Sequence, residues 1–193
     1  SRTNGSRDDR KVLAEKARKA ASEHTDLVSL VSTKTGRHYE GNGARIAVLD
    51  LGVKENILRS MENLGCDVSV VPSTASADEI LSLKPDGILI SNGPGDPMDI
   101  PYAVKTARAL IGKKPILGIC LGHQVLGLAL GGKTYKLKFG HHGGNHPVKN
   151  LAENRIYITS QNHNYALRED FSQDVEITHV NLNDGTVEGF SHR

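Results

Sequence analysis

Between Ala44 and Leu130 the chain alternates short, β-branched apolar runs with segments of helical spacing, and nothing else in it constrains the fold as strongly. ARIAVLDLG (44–52) is an apolar run closed by glycine, the pattern of a parallel strand buried on both faces. VKENILRSMENLG follows with Val53, Ile57, Leu58, Met61 and Leu64 at helical spacing and Gly65 as a stop. DVSVVP reads as a second strand, and SADEILSLKP as a helix whose Ser76 and Glu79 stand at capping-box spacing. GILISNGPGDP is a third strand running into a rigid loop, PYAVKTARALIGKK a third helix, and PILGIC a fourth strand. This order predicts an α/β fold with a doubly wound, largely parallel sheet flanked by helices and joined by right-handed crossovers. After Gly131 the pattern changes. KTYKL, HPVKN, RIYITSQNH, VEITHVNLND and TVEGFSH read as strands joined by turns such as Asn183-Asp184-Gly185, which predicts extra C-terminal strands at the sheet edge or in a small second sheet.

The residues ahead of Ala44 are less regular. Residues 1–10 are a polar lead-in, Lys11 to Glu23 reads as an amphipathic helix with a thin alanine-rich face, and 26–43 reads as a linker ending near Gly43. The first Met is Met61, so Ser1 is not expected to be a native translation start. A net charge of +2, from 24 basic and 22 acidic side chains, gives no reason to expect nucleic acid or an anionic membrane as a partner. Two cysteines, Cys66 and Cys120, make no disulfide framework and no zinc spacing, which suits a reducing, cytoplasmic setting, or an organelle if a transit peptide has been removed. Cys66 is expected to be inert.

Cys120 is expected to be reactive. The fourth strand leads into Gly118-Ile119-Cys120-Leu121-Gly122 and then into a helix-compatible apolar segment. A glycine on each side of one reactive residue is what a nucleophile elbow needs, because the turn is strained and the chain must approach its neighbours closely. A helix N-terminus there is expected to lower the thiol pKa. Ligands of open α/β sheets bind beyond the carboxyl ends of the strands. The loop Ser91-Asn92-Gly93-Pro94-Gly95-Asp96-Pro97 leaves such an end too, with a backbone able to point N–H groups at an oxyanion.

GICLGHQ, SNGPGDP, KFGHHGGNHPVKN and TSQNHNYAL, in this order and spacing, resemble the class I (triad-type) glutamine amidotransferase domain of the carbamoyl-phosphate synthetase small chain. The elbow alone is shared with amidotransferases that make anthranilate, GMP and CTP; SNGPGDP and FGHHGGNHP single out the carbamoyl-phosphate branch. The resemblance runs from about Ala44 to Arg193. It implies that 1–43 is a linker and helix remnant following an N-terminal small-chain domain, and that 44–193 is a glutamine amidotransferase domain that is C-terminally incomplete.

By the same resemblance Cys120 is the nucleophile that attacks the carboxamide of L-glutamine, giving a glutamyl thioester and ammonia. Leu121, Gly93 and Gly95 hold the oxyanion and substrate, Gln124 faces the substrate, and Asn162, Asn164 and Tyr165 contact its amino-acid moiety. Asn164 stands where the family has glycine, and asparagine tolerates left-handed backbone geometry well. The family's catalytic histidine and glutamate lie in a His-Pro-Glu motif that these 193 residues do not contain. His192 matches a position before that motif and is not expected to be the base, so the fragment itself is expected to be inactive.

The implied partner is a carbamoyl-phosphate synthetase large subunit or fused synthetase domain. ATP, magnesium and bicarbonate belong to that partner, and no cofactor is expected in this chain, whose product would feed arginine and pyrimidine synthesis. A rival reading is a non-catalytic docking or regulatory module of the same fold; a flavodoxin-like nucleotide binder fits less well, lacking a phosphate-cradling loop after the first strand. His141, His142 and His146 cluster in what reads as a glycine-rich loop. No carboxylate or cysteine accompanies them at ligand spacing, so no metal site is expected. His123 and His163 read as hydrogen-bonding scaffold beside the site.

Overall fold

β2 (Arg45–Asp50) lies at the centre of the main sheet because Ala47, Val48 and Leu49 are apolar in succession and both faces of the strand are covered. The computed structural model describes residues 10–15, 26–171 and 174–193. β3 (Asp67–Pro72) and β4 (Gly87–Ile90) flank β2, and β5 (Ile116–Gly118) pairs with β4, all parallel. The predicted doubly wound sheet is thus present. α2 (Glu55–Asn63) covers one face, its Leu58 packing on Val48, Val68, Val70 and Leu89. α3 (Ala77–Ser82), α4 (Pro101–Leu110) and α5 (Leu121–Ala129) share the opposite face, where Ile80, Ala103, Leu110, Leu121 and Val125 meet Leu49, Ile88 and Ile90.

The boundary signals hold. Gly65 takes φ +76° just after α2. Ser76 Oγ accepts from Glu79 N at 3.2 Å while Glu79 Oε2 accepts from Ser76 N at 2.7 Å, closing the capping box of α3. Arg108 of α4 donates to the carbonyls of Ala129 and Leu128 at 3.1 and 3.3 Å, satisfying the open C-terminal end of α5 and fixing it against its neighbour.

The segment 26–43 is more than a linker. It contains a helical turn, α1 (Val28–Val31), whose Val28 is buried in the core, and a strand, β1 (Arg37–Tyr39), that pairs antiparallel with β3 at the sheet margin. Three residues of Arg-His-Tyr carry no apolar alternation, so the strand has no sequence signature. Residues 10–15 are helical and exposed, and 16–23, the rest of the helix expected over Lys11 to Glu23, lie outside the described residues.

The chain after α5 forms a small second sheet, one of the two predicted arrangements, closed as a four-stranded barrel in the order β6-β7-β9-β8. Its strands are β6 (Thr134–Asn150), β7 (Arg155–Leu167), β8 (Val175–Asn181) and β9 (Val187–His192). The supposed loop around His141 and His142 is part of β6, a single 17-residue strand. Its glycines are bulges: Gly140 (φ +67°) and Gly143 (φ +137°) sit at two register shifts against β7. The barrel docks on α5 at Gly127, where a Cβ would run into the side chain of the buried Leu167 of β7.

Candidate active site

The link from β5 to α5 is a strained elbow. Cys120, the residue before the helix, has φ 52° and ψ −107°, an unfavourable conformation for a side-chain-bearing residue that persists only where the surroundings enforce it. The enforcement is steric. A Cβ at Gly118 would lie 2.6 Å from the Gly122 carbonyl oxygen, and one at Gly122 would strike the Ile90 carbonyl of β4. Ile119 N donates to Ile90 O at 3.0 Å, so the elbow is pinned to the end of the neighbouring strand.

The SNGPGDP loop leaves that same strand end. Buried Ser91 accepts from Leu51 N at 2.9 Å and donates to Asn92 O at 2.8 Å, and Asn92 Nδ2 donates to Gly52 O at 3.0 Å. Gly93 is wedged so closely that a Cβ would strike the Leu51 carbonyl and lie 2.8 Å from Leu121 Cδ2. Loop and elbow are therefore in contact, as expected, and Gly95 takes a left-handed φ of +92°.

A cavity of about 890 Å³ opens between the elbow and the barrel. Cys120 lines it from the elbow, Gln124 from α5, and Asn162 and Tyr165 from β7, joined by His123, His163 and Glu188. Four of the eight candidate residues thus meet in one space. Gly93, Gly95 and Leu121 do not line the cavity wall, and Asn164 also stays off it, its Oδ1 3.1 Å from His142 Nε2. Gln124 is buried and its Nε2 donates to Tyr165 O at 2.6 Å, so its amide is committed to holding β7. Burial raises the Tyr165 phenol pKa, and the Asp96 carboxylate of the SNGPGDP loop adds to the shift.

The expectation of a lowered thiol pKa at Cys120 is overturned. Burial pushes the thiol up, and the Leu121 N–H directed at the sulfur and the charge of Lys54 only partly oppose it, while Glu188 adds to the rise. The helix-terminus argument is local; burial is set by tertiary packing, and desolvation outweighs it.

Three residues gain importance from the structure. His123 is half-buried one turn after Cys120, its ring 4.8 Å from that of Phe190 and its buried Nε2 without a partner, and desolvation lowers its pKa to about 4. His163 bonds through Nδ1 to Tyr165 O at 2.9 Å, as scaffold was expected to do. Glu188 reaches the same wall from β9, and nothing in its local sequence marks it. The absence of carboxylates near the β6 histidines held only along the sequence: in space Glu188 and Asp184 join His141.

Residues 47–193 match the family described as glutamine amidotransferase class-I. The chain belongs to the class I glutamine amidotransferases. Among its relatives in that family, it is 56% identical over 169 residues to the carbamoyl phosphate synthase small chain of Symbiobacterium thermophilum, covering 86% of this chain and 47% of that one. It is 55% identical over 175 residues to the small chain of Bacillus cereus, covering 90% and 48%. This amidotransferase chain spans about half the length of the curated relatives it matches. Its fold is shared with a protein of Thermoplasma acidophilum described as a GMP synthase subunit (TM-score 0.67, 24% identity, 81% of this chain and 80% of that one). A glutamine amidotransferase of Thermotoga maritima shares it at TM-score 0.58 and 19% identity, covering 78% and 72%. Among the described residues no helix is long and apolar enough to cross a membrane.

Proposed function

We propose that this chain is the glutaminase component of a glutamine-hydrolysing carbamoyl phosphate synthase, cleaving L-glutamine and delivering ammonia to a synthetase large subunit or fused synthetase region. The observation that carries the reading is the strained Cys120 facing a cavity it shares with Gln124, Asn162 and Tyr165. The identity to small chains supports the choice of synthetase.

The Cys120 thiolate adds to the carboxamide carbon of glutamine, and the carbonyl oxygen becomes an oxyanion beside the Leu121 N–H at the start of α5. Collapse breaks the C–N bond, the nitrogen leaves as ammonia with an added proton, and the acyl group remains as a thioester. Water then releases glutamate and restores the thiol. Because burial raises the thiol, the first step needs a base to take its proton. By resemblance that base belongs to a His-Pro-Glu motif absent from these 193 residues, and the chain by itself is proposed to turn over little glutamine. ATP, magnesium and bicarbonate are proposed to act only in the synthetase partner, in a reducing cytoplasm.

A chain extended through that motif is expected to release glutamate from glutamine, to be labelled once, at Cys120, by a glutamine-like electrophile, and to lose both properties in Cys120→Ala. An extended chain with intact thiol that neither turns over glutamine nor takes the label would instead indicate a non-catalytic docking module.

A further inference from the structure

Behind the cavity wall, three strands of the barrel direct hydrogen-bond acceptors at one another. His141 Nε2 lies 2.8 Å from Asp184 Oδ2, and a carboxylate only accepts, so Nε2 carries a proton and in the neutral ring Nδ1 carries a lone pair. His163 Nδ1 lies 2.9 Å from the Tyr165 carbonyl, so its proton is on Nδ1 and its lone pair on Nε2. Both lone pairs point to the same place. Gln161 Oε1 is 2.7 Å from His141 Nδ1 and 3.1 Å from His163 Nε2. The Glu188 carboxylate is 3.3 Å from the first and 3.8 Å from the second. Asn181 Nδ2 lies 3.4 Å from His141 Nδ1 and 3.3 Å from Glu188 Oε1, a long contact shared between the two, and Thr186 Oγ1 lies 3.1 Å from Glu188 Oε1. Four acceptors facing one point, largely out of water, repel unless positive charge lies between them.

We propose that His141 Nδ1, His163 Nε2, Gln161 Oε1 and the Glu188 carboxylate bind a divalent transition-metal ion of the zinc class. Tetrahedral coordination at bond lengths of about 2.0–2.1 Å separates donors by about 3.3 Å. The four separations above, 2.7 to 3.8 Å, bracket that value. The donor atoms of His141, His163 and Glu188 all lie within 4.8 Å of one another. Each imidazole has the outer partner that metal-bound histidines use, a carboxylate for His141 and a main-chain carbonyl for His163, which fixes ring and tautomer. Two imidazoles with two oxygens suit zinc, cobalt or nickel rather than calcium or magnesium. Glu188 and Asp184 together balance a dication. Gln161, His163 and Glu188 also line the cavity, which gives the ion an entry path. The bound ion would staple β6, β7 and β9 together behind Asn162 and Tyr165, and this holds whether or not the chain hydrolyses glutamine.

The test is titration of the demetallated chain with Co²⁺, read by visible absorption, followed by displacement with Zn²⁺. One Co²⁺ per chain with a four-coordinate spectrum is expected. His141→Ala and His163→Ala should weaken binding about 100-fold or more, and Asp184→Asn about 10-fold or more. Glu188→Gln, which keeps the volume of the side chain, should weaken it and change the spectrum while leaving the circular dichroism intact. It serves as the deciding variant if an alanine variant does not fold. His142→Ala, whose ring bonds to Asn162 outside the cluster, should bind as the parent does. Absence of stoichiometric binding, undiminished binding in Glu188→Gln and Asp184→Asn, or equal loss in His142→Ala would overturn the proposal, leaving a hydrogen-bonded cluster or a surface histidine run.

Discussion

Gln124 Nε2 donates to the Tyr165 carbonyl at 2.6 Å, joining the elbow helix to the barrel strand that forms the opposite wall of the cavity. One buried amide thus ties two walls of the space in front of Cys120 together. Replacing it with alanine removes the bond and leaves a buried carbonyl unpaired, a loss of about 1–3 kcal/mol. Gln124→Ala is therefore expected to lower the denaturant midpoint and, under the proposed glutaminase activity, to raise KM for glutamine more than it lowers kcat. An unchanged midpoint would mean that β7 is held by other contacts.

The elbow glycines make a steric prediction. In Gly122→Ala the new Cβ strikes the Ile90 carbonyl, main-chain atoms that cannot move aside, so a loss of roughly 3 kcal/mol or more is expected. Gly112→Ala is the contrast. Gly112 has φ +76° but open space around it, so only the left-handed strain of about 1–2 kcal/mol applies. Urea denaturation of both variants checks the order, and equal losses would count against steric control of the elbow.

The Cys120 thiol titrates above the ordinary thiol range, because burial disfavours the thiolate. Its alkylation rate by a small neutral reagent should rise with pH through a midpoint higher than that of a free thiol. Removing the Lys54 charge (Lys54→Met) should move the midpoint further up, and removing the Glu188 charge (Glu188→Gln) should move it down. The opposite signs are the test; shifts in the same direction would contradict the electrostatic account.

His123 has a folded-state pKa of about 4, below the unfolded value near 6.5, so the unfolded chain binds the extra proton first as pH falls. Its contribution to stability is complete above the unfolded pKa and is lost towards the folded pKa. Between pH 7 and pH 5 this loss is about 2 kcal/mol. His123→Gln should flatten that part of the stability profile, measured as the difference in denaturant midpoint at the two pH values. A parallel profile in the variant would assign the acid sensitivity to other groups.

The main sheet was legible because its signals are local and agree with one another. Val48, Leu49, Ile88 and Leu89 lie in short apolar runs, Leu58 lies on a helical stripe, and Ser76 and Glu79 mark a helix start. β1 was illegible because an edge strand of Arg-His-Tyr needs no apolar pattern to pair with Val70 and Val68. β6 was read in pieces because Gly140 and Gly143 signal turns and bulges alike, and only pairing with β7 distinguishes the two. At the site, Cys120 and its glycines announced themselves by spacing. The burial that raises the thiol, and the arrival of Glu188 from β9, depend on residues almost seventy positions away.

The packing that keeps Cys120 protonated has a further consequence for its chemical lifetime. Peroxides attack thiolates and scarcely touch neutral thiols, so a sulfur held in the acid form is a slow target for oxidation to the sulfenic and then the irreversible sulfinic state. A thiol that becomes an anion only when a base takes its proton is spared that damage for as long as it stays protonated.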